Sequence, residues 1–157
     1  MVATKPDLLD APIHRVREAL AENAKGHEND WLREVGHTLE ELISALRHHV
    51  SAAEAPNGAL ATLASPGQDQ VATLNRQVRQ LRDEHVELLG AVGKLLLHIE
   101  GIRTRCIVDE MSCVEDEEIP VIHDRVDDIL VRLQAHIECE ENLFMTVVTR
   151  DEPGAGD

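Results

Sequence analysis

The chain has 157 residues, with 30 acidic against 15 basic side chains, a formal net charge of −15, nine His and only two aromatics, Trp31 and Phe144. That length suits one domain spanning the whole chain, and 43% hydrophobic with 29% charged residues is the balance of a folded soluble protein. The negative field disfavours nucleic acid and anionic lipid as partners, and no apolar run is long enough to cross a bilayer; cations or a basic protein surface suit it better.

A core without aromatics must be built from Leu, Val, Ile and Ala, which suits helices packed on helices. Leu9, Ile13, Val16 and Leu20 step by four, three and four, predicting a first helix over about 8–24, with Asp10 as its cap and Pro12 in its first turn. After a polar turn at Lys25 to Asn29, Leu32, Val35, Leu39, Leu42 and Leu46 continue that spacing, followed by His49 and Ala53. This second helix should stop near Ala55, because Pro56 disfavours α geometry in the residue before it.

Asn57 to Gly67 reads as a linker with a short turn at Ala59–Ala64. The third long helix is predicted from about Gln68 to Glu100 on Val71, Leu74, Val78, Leu81, His85, Leu88 and Val92. Gly101 to Glu118 is the least regular stretch, and its acidic run Glu115–Glu118 reads as a solvated helix start. The fourth long helix follows on Ile122, Val126, Ile129, Leu133, His136, Glu140 and Leu143, and the tail from Arg150 should fray. The expected fold is all-α, an antiparallel up-down-up-down four-helix bundle.

Three Cys, at 106, 113 and 139, have no metal-site spacing and favour free thiols in a reducing compartment. With no secretory signal at the N-terminus, the expected location is cytoplasmic. Cys139 reads as a small buried filler.

The chemistry is in the helical stripes. His136 and Glu140, four residues apart, face the same way and can chelate a metal, while His49 and His85 replace Leu or Val in their own stripes. One inward His is usually a satisfied core residue. Three, with a Glu, would be costly to bury without a shared partner, since unpaired buried polar groups cost several kcal/mol each. His37, Glu41 and His48 lie on the second helix's polar face, and His27, His98 and His123 near helix ends, where capping and dipole interactions explain them.

The segments "LRHHVSAAEAPNG", "LRDEHVELL" and "AHIECEENLF" resemble the hemerythrin-like, or HHE cation-binding, domain family. Its pattern is a His on the first helix, His-x-x-x-Glu on the second, a His on the third, and His-x-x-x-Glu on the fourth. The resemblance implies metal ligands at His14, His49, Glu54, His85, His136 and Glu140, holding non-haem iron as a pair, with one or no iron the alternatives. It also implies an exogenous ligand such as dioxygen, peroxide or nitric oxide.

Two positions depart from that pattern. Ala53 stands where the second helix should carry its Glu, and Glu54 is turned a further 100° or so from the stripe. Ile13 takes the inward slot on the first helix, leaving His14 about 130° away.

No nucleophile elbow, phosphate loop, Cys-x-x-Cys or dinucleotide fingerprint is present, so any catalysis would come from a metal. A metal-free bundle acting as a regulatory or interaction module is the alternative, with a basic protein or a second copy of the chain as partner. The His37/Glu41/His48 face is the one considered for a homodimer. A histidine phosphotransfer role for His37 or His48 is weakened by the lack of a Lys or Gly following His48.

Overall fold

The computed structural model describes residues 8–63, 71–108 and 114–150. Among them are five helices and no strand: α1 Asp10–Ala21, α2 Glu28–Glu54, α3 Ala59–Leu63, α4 Val71–Val108 and α5 Glu118–Arg150. No helix is long and apolar enough to cross a membrane.

The predicted stripes are the buried faces. Leu9, Ile13, Val16 and Leu20 are buried along α1, as are Leu32, Val35, Leu39, Leu42 and Leu46 along α2. The first helix is shorter than the stripe suggested. Asp10 is its first helical residue rather than its cap; Leu9 takes the cap position, and Glu22 leaves the helix in extended geometry. Gly26, at φ +89°, makes the turn into α2, a left-handed conformation open to glycine at no steric cost.

The third long helix extends beyond its predicted end at Glu100. α4 continues through Gly101 to Val108, because Ile102 and Cys106 prolong the buried face on which Leu88, Leu95 and Ile99 already lie. A mid-helix glycine weakens a helix without ending it when the packed face carries on. His98 is therefore inside a helix, beside Arg125 of α5 at 3.1 Å, and not at a helix end. The expected start near Gln68, the residues at 109–113 and the tail beyond Arg150 lie outside the described residues.

Four helices pack against one another, α1 on α2, α2 on α4, α4 on α5 and α1 on α5. Arg105–Glu118, His98–Arg125, Glu87–Arg132 and Glu84–His136 descend along α4 as they ascend along α5, so these two run antiparallel. The fourth side is incomplete at one end. α1 has 12 residues, about 18 Å of helix, and its Arg15 pairs with Glu41 of α2. The short α3 instead packs on α2, α4 and α5, with Leu60 buried.

The core consists of two apolar clusters. The larger runs from Leu9 and Trp31 to Leu46, Leu88 and Leu133; the smaller holds Ala53, Leu60, Val78, Leu81 and Leu143. On each long helix the boundary between them carries the polar residues: His49 between Leu46 and Ala53, His85 between Leu81 and Leu88, His136 and Glu140 between Leu133 and Leu143. A polar layer thus crosses an aliphatic core.

The thiol expectation needs correction. Cys106 is disulfide-bonded and Cys139 is free and exposed, so Cys139 is no buried filler. An odd count leaves one thiol over without preventing a pair, and the cysteines do not argue for a reducing compartment.

Candidate metal centre

His85 and His136 are almost wholly buried, at 0% and 2% exposure, and among the described residues are with Thr38 the buried polar residues of the core. Thr38 is satisfied within its own helix by the Val35 carbonyl. The two imidazoles are satisfied only by carboxylates. His85 Nδ1 lies 3.1 Å from Glu54 Oε1 and its Nε2 2.8 Å from Glu140 Oε1. His136 Nδ1 lies 2.6 Å from Glu84 Oε2 and its Nε2 2.7 Å from the same Glu140 oxygen.

His49 completes the group. Its Nε2 is 2.9 Å from Glu140 Oε2, close enough for strong charge interaction, yet its orientation makes no directed hydrogen bond. The three rings meet edge to face, with centroids 4.7 Å apart for His85–His136, 5.6 Å for His49–His85 and 6.3 Å for His49–His136. One donor atom from each of His49, His85, His136 and Glu140 lies within 4.8 Å of all the others, which could hold a metal ion.

The proton inventory shows why a cation fits. Carboxylates accept hydrogen bonds and do not donate, and a neutral imidazole carries one N–H; in the tautomer that a metal on Nε2 requires, the Nδ1 atoms of His85 and His136 carry the hydrogens and donate them to Glu54 and Glu84. In the neutral rings both Nε2 atoms then present lone pairs to a Glu140 oxygen that is itself an acceptor. Only extra protons or a cation can reconcile three acceptors at such distances. The carboxylate behind each imidazole is the arrangement that fixes the tautomer of a metal-ligating histidine and raises its basicity.

The electrostatics agree. Burial alone would raise the Glu140 pKa, but His136, His49 and His85 outweigh it and hold the carboxyl far below the usual range. Burial alone would lower that of His136, but the hydrogen bonds to Glu140 and Glu84 reverse the sign and raise it above 6.5. His136 therefore holds a proton more tightly than a free imidazole, and a metal would compete for the same nitrogen.

The residues singled out by sequence divide three ways. His49, His85, His136 and Glu140 come together. Glu54 joins them one bond further out: it reaches the outer nitrogen of His85 from the last residue of α2, needing no loosening of that helix. His14 does not come near; it is exposed and paired with Glu18 at 3.0 Å, while Ile13 is buried at 3% exposure. α1 turns an isoleucine inward, and the resemblance to a histidine on this helix fails at that residue.

Glu84 was missed. It precedes His85 and lies about 100° off the buried stripe, so periodicity assigns it to the surface. Only the packing of α5 against α4 brings His136 to it. The remaining histidines are peripheral: His37 lies 3.4 Å from Glu41, and His123 3.2 Å from Asp127, both exposed.

A groove of about 250 Å³ between α4 and α5 reaches the outer side of this layer, lined by Glu84, Glu87, Leu88, Arg132, Ala135, His136 and Cys139. Burial, then the neighbouring Glu84 and Glu140, push the Cys139 thiol pKa up and keep it protonated. No family model, curated protein or solved structure matches this chain.

Proposed function

We propose that this protein is an iron-binding antiparallel up-down-up-down helical bundle of the hemerythrin-like kind, whose site takes up dioxygen, peroxide or nitric oxide. The observation that carries it is the convergence of three imidazoles on the single Glu140 carboxylate, with two of them backed by Glu54 and Glu84. The antiparallel course of α4 and α5 and the position of the polar layer across three long helices support the bundle.

Three nitrogens and one carboxylate suit a borderline transition ion such as ferrous iron, and four donors leave coordination positions for a small exogenous molecule. Bound there, iron would supply reversible ligand binding and one-electron redox chemistry. The chain's own contribution is separate: Glu54 and Glu84 hold the imidazoles with Nε2 inward, and the aliphatic residues above and below keep bulk water out. His14 plays no part in this reading, and the close grouping of the four donors favours one ion over a pair.

The test is metal analysis with an optical spectrum after anaerobic loading with ferrous salt and desalting. Retained iron that is lost in both His85→Ala and His136→Ala supports the reading. No retained iron would overturn it in favour of the metal-free module, to which Ala53 and Ile13 point.

A further inference from the structure

The polar layer divides the bundle unequally, and the smaller part is thinly built. Among the described residues the larger apolar cluster draws on 25 buried side chains and the smaller on five, Ala53, Leu60, Val78, Leu81 and Leu143. α2 ends at Glu54, five residues past His49, so it reaches about one and a half turns beyond the layer. From there α4 and α5 continue, with the five-residue α3 laid against both. Helices in water are held by a packed apolar face more than by their own propensity. Segments with few buried apolar contacts open locally, at a fraction of the free energy of global unfolding.

α3 is seated by a close backbone approach. A Cβ built on Gly58 would lie 2.2 Å from the carbonyl oxygen of Ala52 and 2.7 Å from that of Ala53, both in the last turn of α2. Glycine lets the chain fold back here and bring the buried Leu60 onto the smaller cluster.

The contacts that tie this end to the rest run through the layer itself. Glu54 of α2 meets His85 of α4, Glu84 of α4 meets His136 of α5, and His49 of α2 faces Glu140 of α5. Each joins a different pair of helices at the level where the smaller end begins. Without an ion, the Nε2 atoms of His85 and His136 crowd one Glu140 oxygen at 2.8 and 2.7 Å. An ion held by His49, His85, His136 and Glu140 would tie α2, α4 and α5 to a single point at that level. Splaying the ends of α4 and α5 would then mean losing those bonds.

We propose that the end of the bundle beyond the polar layer is a metal-gated element, opening locally without an ion and closed onto α3 when one is bound, so that its order reports occupancy of the site. The inference rests on the metal reading of the layer. Opening exposes Leu60, Val78, Leu81 and Leu143, which the closed form hides. The coupling is reciprocal, so a change that unseats this end weakens ion binding by the same factor.

Amide hydrogen exchange of the full chain under anaerobic conditions, read by mass spectrometry, tests it. In chelator-treated protein the amides at 74–84 and 141–147 should exchange about tenfold or more faster than those at 32–46 and 122–133. At free ferrous ion 100 times the dissociation constant, exchange at 74–84 and 141–147 should slow by about 100-fold. Val78→Ala and Gly58→Ala should weaken ferrous-ion binding several-fold. Val126→Ala, the same truncation at a buried position of the larger cluster, should leave it within about twofold. Metal-free protein as well protected beyond the layer as at 32–46 would overturn the proposal. So would retained iron with exchange beyond the layer unchanged, or equal losses of affinity in Val78→Ala and Val126→Ala, and these two results leave the metal reading standing. No retained iron in the parent protein would overturn that reading and this proposal together.

Discussion

His136 turns its Nδ1 to Glu84 Oε2 at 2.6 Å and so presents Nε2 to the interior. The pairing crosses from α5 to α4 and sets which nitrogen of a buried ring faces Glu140. Glu84→Gln keeps the shape and removes the charge. Its expected effect is a loss of roughly 10–100-fold in ferrous-ion affinity, the usual cost of removing such a supporting carboxylate, with the fold intact. Calorimetric titration of the variant beside the parent protein measures it.

His14→Ala should leave ferrous-ion affinity within about twofold of the parent, because His14 is exposed and paired only with Glu18. His49→Ala should abolish high-affinity uptake by removing one of four donors. Comparing the two by metal analysis after desalting separates the site in the fold from the ligand set implied by resemblance.

Stability without metal should peak in mildly acidic solution. The raised pKa of His136 means its charged form stabilises the fold fully below about 6.5, a contribution lost as pH rises through the folded-state value. The depressed pKa of Glu140 gives stability present above about 4.5 and lost as pH falls toward its folded-state value. Chelator-treated protein should therefore melt highest between about pH 4.5 and 6.5. Scanning calorimetry across pH 4 to 8 checks it.

Ferrous ion should change that profile. Metal and protons compete for the same Nε2 atoms, so the rise in melting temperature on adding metal should grow from pH 5 to pH 7.5. At free metal 100 times the dissociation constant, the stabilisation should approach about 2.7 kcal/mol. A melting shift independent of pH would mean that the ion binds elsewhere.

Leu42, fully buried in the larger cluster, tests the aliphatic core directly. Leu42→Ala removes its contacts and leaves a cavity, for an expected loss of about 2–5 kcal/mol in urea unfolding. The equivalent change at the 75%-exposed Leu97 should cost far less.

Periodicity carried much of this protein. Leu32 to Leu46, and Ile122 to Leu133, announce buried helical faces because burial on a helix must recur every three or four residues. His49, His85 and His136 could be found the same way, as polar residues occupying apolar slots. Helix ends were less legible: α4 runs past Gly101 because packing by Ile102 and Cys106 outweighs one glycine, a balance that local preference does not contain.

The sequence by itself determined which side chains each helix turns inward, since that depends only on a fixed turn per residue. The tertiary structure decided which of them meet. Glu84 and Glu54 lie off their own stripes and become part of the site only where a neighbouring helix brings His136 or His85 alongside. It also decided that α1 contributes Ile13 and not His14, because a short helix packed at one end of the bundle offers its apolar face to the core and leaves the polar layer to the three long helices.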